Sequence, residues 1–355
     1  MDERHISRRR FLGSAGVVAA ATAPISAGIL TSACKKEEAA SKKELTAPLT
    51  LKLSSSLPND PKFANGRVTY DALVKQIKAH GLADRITIQF FPDNQLGQEI
   101  DIVNQVKLGA VDLMASGTSI WANLIPSVGV LDLLYLFQSY EHQTRALDAG
   151  AAVLLEDWLL KGARTRVVGW EYNFGARSVL SRAPFVDPGG LAGKKIRTLP
   201  NPVITEGVKL MGAAATPMAF GEIYTALQTG VLDGMEHDPP TIVASKFYEN
   251  AKFYTLTEHL YGPLVLMLSD VTYQKMQPDI RDGFLAAAKA AALDARAHGL
   301  GIVKEAIGVL KERGVTVSDC DREAFRKRVQ PLVQKFGQQH PEVQPVLDRI
   351  QATRT

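Results

Sequence analysis

The sequence lacks the short motifs that carry most enzyme chemistry. Its 355 residues contain no GxGxxG, GxSxG, HExxH or CxxC spacing and no EF-hand loop. The stretch GLAGKK comes nearest to a phosphate-binding P-loop, but Pro188 stands where the first glycine would fall. Of the seven histidines, three have an acidic residue beside them: His142, His237 and His259. These absences count against a nucleotide-dependent enzyme, a serine hydrolase or a zinc enzyme.

Cysteine is nearly absent, and the charges almost balance. The two cysteines are Cys34 and Cys320, and only Cys320 lies in the part expected to fold. No internal disulfide is therefore expected, even outside the cytoplasm, and Cys320 is predicted to be a buried or inert thiol. The formal net charge of +4 gives no indication of nucleic-acid binding. The composition is that of a globular protein long enough for two domains.

The N-terminus has the layout of an export signal. A basic segment, SRRRFL, leads into an uncharged stretch rich in Ala, Gly, Ser and Val that ends at Cys34. Residues 1–33 resemble a bacterial twin-arginine (Tat) signal peptide, and residues 34–48 read as a flexible tether. The small residues before Cys34 resemble a lipobox, which implies a lipid on its sulfur, although Leu30 lies four residues before the cysteine instead of three.

Two other interpretations of the N-terminus stay open. Simple cleavage near Ala33 would release an unanchored periplasmic protein. An uncleaved membrane helix over residues 11–34 is the second, because no charge interrupts that stretch, but its many small residues would make a weak span.

The pattern of the remaining chain predicts an α/β fold. Strand-like runs alternate with amphipathic helical patterns that end at glycine, which indicates α/β layers with mostly parallel sheets. The runs read as strands are 50–56, 85–91, 111–116, 165–174, 176–182, 194–199, 252–257 and 263–269. Near the C-terminus, the Ala-rich segment 279–314 predicts one long helix that could brace two lobes, or two helices bent at 299–301.

An internal echo predicts two lobes of similar construction. QVKLGAVDLMASG (105–117) and ALQTGVLDGMEHD (226–238) share a helix end, a glycine, an aspartate three residues later, and then a strand. Two such strand ends facing each other would form a cleft for a small molecule. Chance similarity between two generic helix-turn-strand units is the alternative.

Two arginines stand on predicted strands. Arg197 lies inside KKIRTL, and Arg177 opens ARSVLSR after an aromatic-rich segment. A buried arginine needs an anion, and its planar fork fits a carboxylate through two hydrogen bonds. The alternative is that each arginine pairs with a protein acid on an exposed sheet face.

At these residues the sequence resembles a known family. GLAGKKIRTLPN followed by ATPMAFGEIYTALQTGVLDGMEHDP is similar to the extracytoplasmic substrate-binding proteins of TRAP transporters, the DctP-type family, and the likeness covers most of residues 50–300. The resemblance implies a two-lobed periplasmic binding protein fold with hinge strands and a long helix that spans the lobes. Lobe I is expected to comprise residues 49–174 and about 262–298, and lobe II residues 175–261 and about 299–355.

The resemblance also implies the ligand-binding residues. Arg197 is expected to hold the ligand carboxylate, with Arg177 as a second cationic donor and Phe220 as an aromatic contact. Glu236 and His237 take the positions of the family's acid and asparagine, so His237 is a departure that adds bulk and a titratable group. Further candidate contacts are Asn173, Ser116, Thr118 and Trp121. No cofactor is expected; a cation held by Glu236 and Asp238 is the one metal alternative considered.

The implied function is capture of a small organic acid, a sugar acid or a C4 or keto acid, for delivery to a TRAP membrane permease from the periplasm. The strand end after Asp112 lacks the charged residues that sialic-acid binders place there, so a smaller or neutral-tailed acid is expected. A non-enzymatic role is predicted. The competing hypotheses are a periplasmic hydrolase or lyase that uses Glu236 and His237, and a ligand-sensing subunit with the same fold.

Overall fold

The computed structural model describes residues 48–171 and 175–354. The strands in these ranges are β1 (Leu49–Ser54), β2 (Ile86–Phe91), β3 (Leu113–Gly117), β4 (Thr165–Trp170), β5 (Ala176–Ser181), β6 (Lys195–Thr198), β7 (Ala214–Pro217), β8 (Gly234–His237), β9 (Phe253–Tyr261), β10 (Leu264–Ser269) and β11 (Thr316–Ser318). The α-helices are α1 (Asn65–Ala79), α2 (Glu99–Leu108), α3 (Tyr140–Ala146), α4 (Ala152–Ala163), α5 (Pro188–Leu191), α6 (Pro202–Met211), α7 (Ile223–Gln228), α8 (Pro239–Ala244), α9 (Asp270–Lys275), α10 (Pro278–Glu312), α11 (Arg322–Gln339) and α12 (Gln344–Ala352).

The strands form two sheets, and each sheet is the centre of one lobe. Sheet 1, in lobe I, has the order β2-β1-β3-β10-β4, and sheet 2, in lobe II, has the order β11-β9-β5-β8-β6-β7. The chain passes from sheet 1 to sheet 2 between β4 and β5 and returns between β9 and β10. The predicted α/β class and its two lobes are therefore confirmed, while the lobe boundaries given by residue number stay a prediction.

The expectation of mostly parallel sheets holds by a narrow margin, because five of the nine strand pairings among the described residues are parallel and both sheets are mixed. β1 pairs in parallel with β2 and β3, β6 with β7 and β8, and β11 with β9. In contrast, β10 is antiparallel to β3 and β4, and β5 is antiparallel to β8 and β9. The exceptions are the two strands that enter a sheet from the other lobe, because such a strand arrives without the helical crossover that a parallel neighbour requires.

The predicted long helix is a single element that packs against both lobes. The first half of α10 places Phe284, Ala287 and Ala291 in the apolar core that also contains Leu51 of β1. The second half places Ile302, Ala306 and Leu310 in a core with Met235 of β8 and Tyr254 of β9. Its 35 residues span about 50 Å at the usual helical rise, which is enough to brace two small lobes.

The internal echo seen in the sequence has a structural counterpart. Gly109 and Gly230 both have left-handed backbone angles, with φ of 75° and 78°. Three residues later, the Asp112 carboxylate accepts a hydrogen bond of 2.8 Å from the backbone N–H of Lys52, and the Asp233 carboxylate accepts one of 2.8 Å from Lys195. Each aspartate thus ties its turn to the neighbouring parallel strand, and β3 and β8 are delivered by the same device.

No helix within the described residues is long and apolar enough to cross a bilayer. The predicted signal peptide, tether and alternative membrane helix, together with Cys34, lie outside the described residues. Cys320 is partly buried, and burial raises the pKa of its thiol to about 11, in line with the prediction of an inert thiol.

Candidate functional site

A cavity lies where strand ends of the two lobes face each other. Lobe I contributes the end of β1, the start of α2 and the segment after β3; lobe II contributes β5, the turn before α7 and the end of β8. The polar lining residues are Ser56, Glu99, Ser116, Ser119, Arg177 and His237, and the bulkier apolar ones are Leu57, Ile120, Leu199, Phe220 and Leu264. The wall therefore combines a cation, a carboxylate and hydroxyls with apolar surface, which suits a small polar ligand.

Arg177 is held by Glu236 in a two-point ion pair. Arg177 Nε donates to Glu236 Oε2 at 2.6 Å and Nη2 donates to Oε1 at 2.9 Å. The pairing follows from the sheet, because β5 lies antiparallel to β8 with Val179 opposite Glu236. Burial opposes both charges, but Arg177 outweighs it and holds the pKa of the Glu236 carboxyl well below its usual range. Arg177 thus lines the cavity as a guanidinium whose charge is already balanced.

Next to this pair, His237 is fixed in one tautomer. Arg177 Nη1 lies 3.3 Å from His237 Nε2, and an arginine can only donate, so Nε2 is the acceptor. We therefore place the proton on Nδ1, where it is donated to Asp238 Oδ2 at 2.5 Å; the backbone N–H of Asp238, 3.1 Å from the same nitrogen, then makes no hydrogen bond to it. Burial and the Arg177 charge lower the pKa of His237, which keeps the imidazole neutral. The ring meets Phe220 edge-on, with centroids 5.8 Å apart.

Arg197 has a different environment from Arg177. It is completely buried, and its Nε donates to the Met218 carbonyl at 2.8 Å. Its Nη1 and Nη2 have no hydrogen-bond partner among the described residues. Burial, together with the charge of Arg177, lowers the pKa of Arg197 to about 10, so the side chain is still a cation at neutral pH. Arg197 is not among the cavity-lining residues; it forms one buried charge group with Arg177 and Glu236.

Sequence reasoning missed Glu99 as a cavity residue. Glu99 is the first residue of α2, it lines the cavity, and its Oε1 accepts a hydrogen bond of 2.9 Å from Ser56 Oγ. Burial raises the pKa of its carboxyl. The echo in the sequence gave no such signal, since Glu222, which matches Glu99 in the shared Glu-Ile pair, is exposed and does not line the cavity.

The other predicted residues take separate places. Ser116 lines the cavity, but Trp121 is completely buried in the core and its Nε1 donates to Ser116 Oγ at 3.0 Å. Thr118 is also buried, and its hydroxyl has no partner among the described residues. Asn173 lies outside the described residues.

The carboxylates considered for a cation are engaged by protein donors. Glu236 accepts from Arg177, and Asp238 accepts from the backbone N–H of Thr241 at 2.9 Å and from His237. Within residues 48–171 and 175–354, no group of three or more His, Cys, Asp and Glu side chains has a metal-binding arrangement. The same contacts describe Glu236 and His237 as members of an ion-pair network.

In comparisons with known proteins, this chain is similar to bacterial solute-binding proteins. The family model described as bacterial extracellular solute-binding protein, family 7 (DctP), matches residues 65–339. The 2,3-diketo-L-gulonate-binding periplasmic protein YiaO of Escherichia coli K12 is 33% identical over 242 residues, which make up 68% of this chain and 73% of that protein.

Solved structures similar to this chain include TRAP periplasmic solute-binding proteins. A TRAP periplasmic solute-binding protein from Citrobacter koseri with bound D-glucuronate superposes with a TM-score of 0.80 and 28% identity, over 86% of this chain and 99% of that one. A TRAP protein from Polaromonas sp. JS666 bound to D-erythronate gives a TM-score of 0.78 and 31% identity, over 86% and 98% of the two chains.

Proposed function

Since the chain belongs to family 7 of the bacterial extracellular solute-binding proteins, the DctP family, we propose that it captures a sugar acid in the cavity between its lobes for delivery to a TRAP membrane permease. Arg197 is the anchor of the ligand carboxylate. Arg177, Phe220, His237 and Ser116 form the surrounding wall.

The observation that carries this proposal is the guanidinium of Arg197, whose Nη1 and Nη2 have no hydrogen-bond partner in the part of the chain that the structure describes. A buried cation with two unpartnered nitrogens is costly unless an anion completes it. Glu236 is already committed to Arg177 through two hydrogen bonds, so the protein's own acid does not meet this need. A ligand carboxylate fits the two free nitrogens of the fork, and its single negative charge restores the balance of the buried group.

Glu99 narrows the ligand class to a monocarboxylate that carries hydroxyl groups. A carboxylate in the cavity wall repels a second ligand carboxylate but accepts hydrogen bonds from ligand hydroxyls, and Ser56 keeps one of its oxygens oriented. The cavity wall therefore favours a sugar acid over a C4 dicarboxylate. The D-glucuronate and D-erythronate bound by the two similar structures are acids of this kind.

Delivery to a permease requires the protein to be outside the cytoplasm. The family is extracytoplasmic, and we add the Tat-type signal over residues 1–33 and lipid attachment at Cys34 as parts of this proposal. The lobes then close on the ligand as two bodies with the predicted boundaries, and the bound acid shifts the population toward the closed form.

Calorimetric titration of the wild type and two Arg197 variants tests the proposal. The panel is D-glucuronate, D-galacturonate, D-erythronate and succinate. Arg197→Met removes two charge-assisted hydrogen bonds worth about 1.5 to 3 kcal/mol each, so affinity should fall by about 100-fold or more. Arg197→Lys keeps the positive charge but loses the forked guanidinium, so its affinity should lie between those of the wild type and Arg197→Met.

Arg166→Met is the matched control, because Arg166 already pairs with Asp270 in lobe I and is not part of the buried charge group of Arg177, Glu236 and Arg197. Undiminished binding by Arg197→Met would refute the anchor role. Succinate binding more tightly than every sugar acid would refute the role given to Glu99. Recovery of a chemically altered ligand would show that the protein is an enzyme.

A further inference from the structure

A second buried polar cluster adjoins the cavity and is centred on Asp132. This residue ends a 3-10 helix, Pro126–Asp132, and is completely buried among leucines. Its Oδ1 accepts a hydrogen bond from Ser119 Oγ, and its Oδ2 accepts one of 2.8 Å from Asn201 Nδ2. Asn201 Nδ2 also donates to the Ser119 carbonyl at 2.8 Å. The three residues therefore form a closed set of hydrogen bonds.

Ser119 and Asn201 connect the cluster to two different parts of the site. Ser119 lies in the segment that follows β3, and it lines the cavity close to Ser116. Asn201 follows β6, the strand that carries Arg197, and its Oδ1 accepts from the backbone N–H groups of Val203 and Ile204 at the start of α6. The cluster thus joins the lobe I cavity wall to the lobe II segment of the anchor arginine.

A buried carboxylate is a costly way to fill this position. Replacing buried polar groups with well-packed apolar ones is often neutral or stabilising, so an aspartate among leucines is weak evidence for a gain in stability. What it does provide is geometry, because its two oxygens accept only from donors at defined positions. The Ser119 hydroxyl donates its proton to Asp132, so Ser119 cannot donate the same proton to a ligand.

We propose that Asp132 is a positioning residue for ligand binding: through Ser119 and Asn201 it fixes the cavity wall after β3 relative to the strand of Arg197, without touching the ligand. The inference rests on the proposed function, since it concerns the same cavity. Loss of the bridge lets the wall and the anchor move apart, so that the ligand no longer meets both at once.

Asn201→Asp tests the bridge selectively. An aspartate at this position still accepts the α6 N–H groups, but it faces Asp132 with an acceptor in place of a donor. Affinity for D-glucuronate measured by calorimetry should fall about 10-fold or more, as expected for coupled groups in one network. Asn201→Ser, which also caps the helix but does not reach Asp132 as a donor, should weaken binding in the same direction and serves if Asn201→Asp fails to fold.

The exchanged pair Asp132→Asn with Asn201→Asp restores a donor opposite an acceptor. Its affinity should return to within about 3-fold of the wild type, short of full recovery because the Ser119 carbonyl still lacks its donor. A merely structural role predicts that affinity follows the unfolding free energy across the variants. If Asp132 acts as a positioning residue, affinity is high only in variants that keep the hydrogen bond between positions 132 and 201, and every variant binds one ligand per folded molecule.

The outcomes separate the two proposals. A wild type that binds no acid of the panel would refute the proposed function and this inference with it. A wild type that binds, with Asn201→Asp and Asn201→Ser within about 2-fold of it, would overturn the inference alone. An exchanged pair that regains stability but not affinity would also overturn it.

Discussion

Glu171 should make the stability of the protein fall as the pH rises, and Glu171→Gln should abolish this effect. Glu171 follows β4 at the passage between the lobes and is completely buried. Its Oε2 lies 2.6 Å from Thr69 Oγ1, and that hydroxyl lies 2.9 Å from the Asn65 carbonyl. Thr69 has one proton to donate, so both contacts are satisfied when Glu171 is protonated and donates to Thr69.

The pKa of Glu171 gives the size and the sign of the effect. Burial raises this pKa from 4.5 to about 8, and Oε1 has no partner among the described residues to stabilise the charge. The folded state therefore holds the proton more tightly than the unfolded state, and the stabilisation is complete below pH 4.5 and is lost as the pH rises toward 8. Between these values the loss is about 1.4 kcal/mol per pH unit.

Urea unfolding of the wild type and Glu171→Gln at several pH values from 5.5 to 7.5 measures this loss. Over these two pH units, the free energy of unfolding of the wild type should fall by about 2.7 kcal/mol relative to the variant. Contributions from Asp132 and Glu236 are common to both proteins and cancel in the difference. Glu323→Gln, at an exposed position on α11, is the control for removing one glutamate from the surface. A difference independent of pH would refute the assignment of a protonated Glu171.

Two further predictions concern glycines. A Cβ on Gly221, in the lobe II turn after Phe220, would lie 3.1 Å from Gln98 Nε2 of lobe I. Gly221→Leu should therefore oppose closure of the lobes, weaken D-glucuronate binding several-fold and enlarge the ligand-bound molecule in X-ray scattering. Unchanged affinity would contradict this prediction. A Cβ on Gly301 of α10 would meet nothing within 4 Å. Gly301→Ala should therefore raise the free energy of unfolding by about 0.5 to 1 kcal/mol in urea titrations and leave ligand affinity unchanged. A lower free energy of unfolding would indicate that the helix bends there.

Much of the fold could be predicted from local patterns. Strands with several apolar residues, such as β1, β2 and β10, appear within a few residues of their predicted positions, because their burial leaves an apolar pattern in the sequence, alternating in β2 and continuous in β10. The short strands β7 and β11 were not predicted. β7 has no fully buried residue to give it a pattern, and β11 has three residues, so pairing with neighbours decides their conformation.

The site could be predicted only in part, because its contacts join distant residues. The sequence identified the cavity-lining Arg177, Phe220, His237 and Ser116. It did not show that Arg177 and Glu236, 59 positions apart, would pair with each other. That contact depends on the antiparallel register of β5 and β8, which no local pattern encodes.

The pairing of Arg177 with Glu236 decides between the two alternatives for one arginine, while ligand binding by Arg197 stays a prediction. Arg177 meets a protein acid, although in a buried position instead of on an exposed face, and the pair is electrically balanced. Arg197 lies beside that balanced pair with two nitrogens unpartnered among the described residues. If Glu236 were not committed to Arg177, it could satisfy Arg197 and compete with an incoming carboxylate. Under the proposed function, the ion pair would contribute to binding indirectly, because it keeps the internal acid occupied and leaves the second guanidinium for the ligand.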